Sequence, residues 1–216
     1  MMYGKRIQIY FVLLFVLFLK ACDTDFIGSI QNFRFQIPFY FYVNYFDKSI
    51  PDTSQVFANL NEYEEFTKNK SRLEKAEIVQ FNYWIDSLVY GNNQPFDPKK
   101  DTLVIENVRF FLVFAKPKPN IPNPRDTSDF EPDTTLPTFL LGEFKEVNVS
   151  DFYRKPNHIY VISTEISQVL TEVVRNRPYF YLVSEYGKVR GQTTPKKYFS
   201  LIFVRFDVVI RFTVSL

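Results

Sequence analysis

The chain has 216 residues, of which 26 are Lys or Arg, 24 are Asp or Glu and 46% are apolar. That length suits one large domain or at most two small ones, and the near-balance of charge excludes a strongly basic nucleic-acid binder. One cysteine and one histidine leave few of the groups on which metal or thiol chemistry depends.

The first residues concern topology. Lys5 and Arg6 precede a nearly unbroken apolar run from Ile7 to Leu19. At about 13 residues, the run fits the apolar part of a signal peptide and falls short of the roughly 20 that span a bilayer as a helix. Leu19-Lys20-Ala21-Cys22 follows directly. It resembles the lipobox of bacterial lipoproteins, with an apolar residue three before the cysteine and a small residue just before it. Lys20 departs from the pattern, since that position is usually small and uncharged. The resemblance implies that residues 1–21 are removed as a signal peptide and that lipid is added to the Cys22 thiol, anchoring the protein to a membrane outside the cytoplasm. Removal takes away Lys5, Arg6 and Lys20, so the 26 basic residues fall to 23 against 24 acids, and the mature chain is near neutral. Lys99-Lys100 and Lys196-Lys197 flank expected strands and read as solvated turn residues. A lipidated Cys22 leaves no thiol for a disulfide, so the core alone must hold the fold.

About 195 residues remain, and their composition favours strands: 19% are aromatic, mostly Phe and Tyr, while Gly and Met are few. Residues 22–32 read as a tether. Phe33 to Phe46 alternates, with Phe33, Phe35, Ile37, Phe39, Phe41, Val43 and Tyr45 on one face. Pro38 lies in the middle of this strand and has no N–H for a ladder, which places the strand at a sheet edge or puts a bulge there. Asn61-Glu62-Tyr63-Glu64 has the form of a capping box and predicts a short helix to about Lys70. Ala76 to Val89 and Thr102 to Ala115 are the next strands. Gly91-Asn92-Asn93-Gln94-Pro95 and Asp97-Pro98 supply turn residues between them, so a long-looped hairpin is expected.

Residues 116–138 contain six prolines, at 117, 119, 122, 124, 132 and 137, and read as an exposed, partly polyproline loop. Phe139 to Val149 and a short piece at His158 to Ile162 continue the strands. Ile166, Val169, Leu170, Val173 and Val174 then repeat at helical spacing, with Ser163 or Thr164 to cap the start and Arg175 and Arg177 at the end. The apolar stripe of this helix should cover one open end of the sheets. Tyr179 to Tyr186 is a strand ended by Gly187. In the last segment Val204, Phe206, Val208, Ile210, Phe212, Val214 and Leu216 face one way and Arg205, Asp207, Arg211, Thr213 and Ser215 the other, the mark of a strand with one face in a core.

The expectation is an all-β fold: an antiparallel β-sandwich of about seven long strands with two short helices, forming one domain over residues 33–216. The lipobox, the Phe-rich first strand, the capped helix feeding a long strand and the closing alternating strand together resemble uncharacterised β-sandwich lipoproteins of Bacteroidetes-type bacteria. That resemblance implies an envelope location, with the outer membrane favoured, and no known activity. Asp23 and Asp25 resemble the acidic tethers with which such bacteria export lipoproteins to the cell surface; retention in the periplasm is the alternative.

No catalytic, cofactor or metal site is legible. His158, after Pro156-Asn157, reads as a turn residue rather than a general base. Glu62, Glu64 and Glu65 lie on a solvated helix. Asp126, Asp129, Glu131 and Asp133 lie in the proline loop, which offers neither the rigid carboxylate pair of a glycosidase nor the spacing of an EF-hand. Trp84 and the many tyrosines could stack on sugars, with core packing as the plainer reading. The expected function is that of a non-enzymatic envelope lipoprotein in a binding or structural role. It would hold the membrane through Cys22 and meet an envelope protein or a glycan, without nucleic acid. An accessory carbohydrate-binding lipoprotein and a small outer-membrane β-barrel are the alternatives.

Overall fold

A computed structural model describes residues 32–48, 53–161, 164–191 and 199–215, and the architecture is all-β with antiparallel sheets. In chain order the elements are β1 (Asn32–Lys48), β2 (Thr53–Asn59), α1 (Glu64–Asn69), β3 (Leu73–Tyr90), β4 (Leu103–Pro117), β5 (Phe130–Pro132), β6 (Phe139–Asn148), α2 (Val149–Phe152), β7 (Asn157–His158), α3 (Thr164–Val174), β8 (Tyr179–Tyr186), β9 (Val189–Gly191) and β10 (Phe199–Ser215). One sheet has the order β1-β10-β3-β7. The other runs β2-β8-β4-β5, with β6 and β9 also paired to β4.

β10 is central to the first sheet, bonded to β1 on one side and β3 on the other. Its residues alternate as the sequence predicts: from Val204 to Val214 every second side chain is buried, and those between are half-buried. The inward faces of the two sheets meet through aromatic rings. Phe81 of β3 and Phe206 of β10 both contact Phe110 of β4 edge-on, with ring centres 5.1 and 5.8 Å apart. Phe39 of β1 meets Phe180 of β8 at 5.8 Å. Edge-to-face contacts suit rings whose edges are positive and faces negative, and each buried Phe contributes about 1.5–3 kcal/mol by leaving water. One contiguous core therefore draws on both sheets. Inside it Ser54, Ser184 and Tyr186 join their hydroxyls, Ser184 and Tyr186 at 3.0 Å, so these three polar groups satisfy one another within the core.

β1 is an edge strand, one of the two arrangements that Pro38 allows. Pro38 sits opposite Val209, and among the described residues no strand pairs with the other side of β1. β3 instead has its free edge covered by pieces that are mostly not strands. The Ala76 N–H donates to Thr171 Oγ1 and the Ala76 C=O accepts from Ser167 Oγ, both at 2.8 Å, so α3 lies along that edge. The N–H groups of Ile159, Arg154 and Phe96 donate to the carbonyls of Phe81, Ile85 and Leu88. Sequence periodicity places α3 over an open end of the sheets. The structure uses it on an edge, because exposed ladder groups need partners and Ser167 and Thr171 supply them.

Other expectations are corrected in the same way. β3 and β4 do not form a hairpin: β3 bonds to β10 and β4 to β8 and β6, so the turn through Asn92 and Asn93 carries the chain from one sheet to the other. The Asn61 capping box does not form. Asn59 accepts from the Asn61 N–H at 3.0 Å and starts a single 3-10 turn, while Asn61 bonds to Tyr179 and Lys70 instead. β2, of mixed polarity, and the three-residue β9 carry too little alternation to be legible.

The proline-rich segment differs most. Its middle is exposed, but the chain returns as β5 against the end of β4 and inserts Phe130 among Phe57, Tyr179 and Tyr181 on the outer face of the second sheet. Ring centres lie 4.7 Å from Phe57 and 4.5 Å from Tyr179. The prolines forbid a long strand, yet three paired residues suffice to seat one ring. Phe130→Ala is expected to cost about 3 kcal/mol of stability. It should also make the bonds between residues 117 and 137 the first cut in limited proteolysis. Wild-type melting and an unchanged cleavage pattern would contradict this packing.

Candidate binding face on the four-stranded sheet

The outward side of the β1-β10-β3-β7 sheet carries two rows that cross the strands. In the first, Tyr42 of β1 lies opposite Arg205 of β10, which lies opposite Trp84 of β3. In the second, Tyr40, Asp207, Asn82 and His158 stand in register on four successive strands. Alternation makes this possible: once Val204, Phe206 and Val208 turn into the core, Arg205 and Asp207 must turn out beside each other.

Arg205 is the hinge of the first row. Its guanidinium lies over the rings of Trp84 at 4.8 Å, Tyr42 at 5.0 Å and Tyr40 at 5.8 Å, and its Nε donates to Asp207 Oδ1 at 3.2 Å. Planar delocalised charge over aromatic faces is favourable, and Arg suits it because it is less strongly hydrated than Lys. Trp84 is consequently only 8% exposed although it points away from the sandwich core, whereas Tyr40 and Tyr42 remain 57% and 48% exposed. Phe203 stacks on Tyr42 at 5.4 Å. At the far end of the second row, His158 Nδ1 lies 3.1 Å from Asn82 Oδ1. The His158 ring meets Tyr160 edge-on, and Tyr160 is 75% exposed.

The structure thus gathers residues that the sequence treats separately. Trp84 is buried, as the packing reading has it, but under Arg205 rather than in the core. His158 stands in the two-residue strand β7, at the start of the short strand expected over residues 158–162. Ser54 and Ser184 lie inside the sandwich on the second sheet, whereas His158 is on the outward side of the first. Nothing in the spacing of residues 40, 82, 158 and 207 announces that they align. Only strand order and register do.

The acids identified in the sequence are engaged elsewhere. Glu64 pairs with Lys68 on the exposed side of α1. Asp126 and Asp129 cap a 3-10 turn, and the Asp129 carboxylate accepts from the N–H groups of Arg125 and Asp126 at 2.8 and 2.9 Å. Glu131 lies 3.5 Å from Lys116. Asp133 is a fixed anchor rather than part of a mobile acidic loop: its side chain is 1% exposed, accepts from the Thr135 hydroxyl at 2.6 Å and pairs with Arg177 beyond the end of α3. Among the described residues no three His, Cys, Asp or Glu side chains converge as metal ligands. A cleft of about 690 Å³ lies between α3 and β3, and part of its polar lining is engaged: Ser167 and Thr171 bind Ala76, and Glu77 pairs with Lys75 and Arg211. Cys22 lies outside the described residues, and no described helix is long and apolar enough to cross a membrane.

No family model and no curated protein matches this chain. Among solved structures, one from Desmodium yellow mottle tymovirus is similar over 85% of this chain and 89% of that chain, at 11% identity and a TM-score of 0.24. A likeness that distant carries no argument about this protein.

Two outcomes follow from this geometry. The Thr135 hydroxyl bond, with help from Arg177, holds the Asp133 carboxyl below its usual range against the opposing effect of burial. A depressed carboxylate pKa adds stability that is complete above the unfolded value and is lost as pH falls through the folded one. Asp133→Asn should therefore cost about 2 kcal/mol at neutral pH and progressively less below about pH 4. A constant difference between pH 3 and pH 7 in denaturant titrations would contradict that anchor. Trp84 is the only tryptophan, so its emission reports on the first row. Arg205→Ala should shift that emission to the red and raise acrylamide quenching several-fold, while unchanged quenching would show that Arg205 does not cover the indole.

Proposed function

We propose that the protein is a non-enzymatic envelope lipoprotein, anchored by lipid on Cys22, whose β-sandwich binds or supports another envelope component through the outward face of its four-stranded sheet. The observation that carries the binding role is a difference between the two outer faces. The chain covers the aromatic face around Phe57 and Tyr181 with its own Phe130. It leaves Tyr40 and Tyr42 half exposed beside the paired Arg205 and Asp207. Exposed aromatics grouped with polar side chains that are already oriented are the usual composition of a recognition surface.

The location rests on the run from Ile7 to Leu19 followed by Leu19-Lys20-Ala21-Cys22. The outer membrane is the favoured site, on either of its sides. A small membrane barrel fits less well. Such barrels turn apolar residues to the lipid and polar ones to the lumen, whereas β10 turns Val, Phe and Ile inward and Arg and Asp outward. Cells fed an alkyne fatty acid should label the wild-type protein and fail to label Cys22→Ala. Equal labelling of the two would end the lipoprotein reading.

A further inference from the structure

We infer that the outward face of the β1-β10-β3-β7 sheet binds an uncharged oligosaccharide laid across the strands, stacked on Tyr40 at one end and Tyr160 at the other and hydrogen-bonded along the row Asp207, Asn82 and His158 between them. This inference rests on the reading that the face is a binding surface, and adds to it the chemistry of the ligand.

The aromatic part fixes how such a ligand would lie. Tyr40, 57% exposed, stands at one end of the second row, and Tyr160 stands beside His158 at the other, so a ligand held by both lies across the strands. Each tyrosine offers a ring to the flat patch of C–H groups on a pyranose unit. Tyr40 is braced from within by Arg205. Rings held in place before binding lose little side-chain entropy when a ligand arrives.

The second row supplies polarity of the right kind. A sugar hydroxyl both donates and accepts, and the row offers a carboxylate that accepts, an amide that does both, and an imidazole. From Tyr40 to His158 the row crosses four strands, about 14 Å at the usual strand spacing, enough for about two or three sugar rings laid across the sheet. Tyr160, 75% exposed and edge-on to His158, closes the far end with another ring.

Charge decides the class of sugar. The full charges in the two rows are Arg205 and Asp207, and they are paired with each other. A uronic acid or sulfated sugar would gain little from a guanidinium already held by a carboxylate and by rings on its faces, and would meet that carboxylate at the same place. A neutral sugar pays no such penalty and leaves the ion pair intact.

The test is isothermal titration of the full-length protein in detergent micelles. The probes are maltohexaose, cellohexaose, mannohexaose and xylohexaose, set against hexagalacturonate and a heparin hexasaccharide. At least one neutral hexasaccharide is expected to bind, and Tyr40→Ala should weaken it about tenfold, the scale of one lost stacking contact. Tyr160→Ala changes a side chain that is largely in water, so it should leave the melting temperature unchanged and still weaken binding several-fold. Asp207→Asn should lower affinity for the neutral sugar and raise it for hexagalacturonate, because Arg205 is then uncompensated. Three results would each overturn the inference: no binding across the neutral panel, tighter binding of an anionic probe by the wild type, or full affinity in both tyrosine variants. Any of them would leave fatty-acid labelling at Cys22 unaffected, so failure here is distinguishable from failure of the envelope reading.

Discussion

Strict alternation along β10 is the constraint on which the rest of the structure depends. A strand bonded on both sides has no freedom to rotate, so putting Val204, Phe206, Val208, Ile210, Phe212 and Val214 into the core forces Arg205, Asp207 and Arg211 onto the other side of the sheet. The inward set meets Phe110 from the second sheet through Phe206 and is satisfied by burial. The outward set must find partners where water competes. Arg205 and Asp207 do so by pairing with each other and by drawing Tyr40, Tyr42 and Trp84 around the guanidinium. A core requirement thus generates an organised surface.

The two outer faces show what the chain does with surfaces of this kind. On the second sheet the proline-rich segment is pulled back by β5 and by Asp133, which Thr135 and Arg177 hold, and Phe130 then fills the space among three other rings. On the first sheet no such cover is built over Tyr40, Tyr42 and Tyr160 among the described residues. Edges are treated with equal care. β3, which would otherwise present open ladder groups, is capped by Ser167, Thr171 and the turns near residues 96 and 154. β1 relies on Pro38 and its polar outward residues to blunt its free side. A fold that covers one aromatic face and one edge so fully leaves the remaining face as the natural place for an outside ligand.

Much of the fold is legible in the sequence, and the failures have specific causes. β10, β8, β6 and the Phe-rich β1 are readable because each buries one face and period-2 alternation survives. Pro38 narrows β1 to a sheet edge or a bulge, and the structure takes the edge. The missing hairpin between β3 and β4 is different: turn chemistry near Asn93 shows that the chain reverses but not which sheet it joins. Phe130 and Asp133 are hidden among six prolines because a composition rule describes the segment as a whole and not the two residues that anchor it. The candidate face is the least readable feature. Trp84 and His158 stand out as single residues, but Tyr40, Asp207, Asn82 and His158 become a row only through three separate strand registers, and the sequence contains no local trace of those. The proposed targeting signal is the reverse case: read from the residues up to Cys22, which lie outside the described residues.

The claim that most needs testing is that the outward face of the four-stranded sheet is occupied in the cell. Hydroxyl-radical footprinting with mass spectrometry, carried out on intact cells and on the purified protein, measures this directly at Tyr40, Tyr42 and Tyr160. The account predicts that these three side chains are oxidised readily in the purified protein and are protected in cells, while exposed Leu140, on the other sheet, reacts alike in both. Equal oxidation of the three tyrosines in both settings would contradict it.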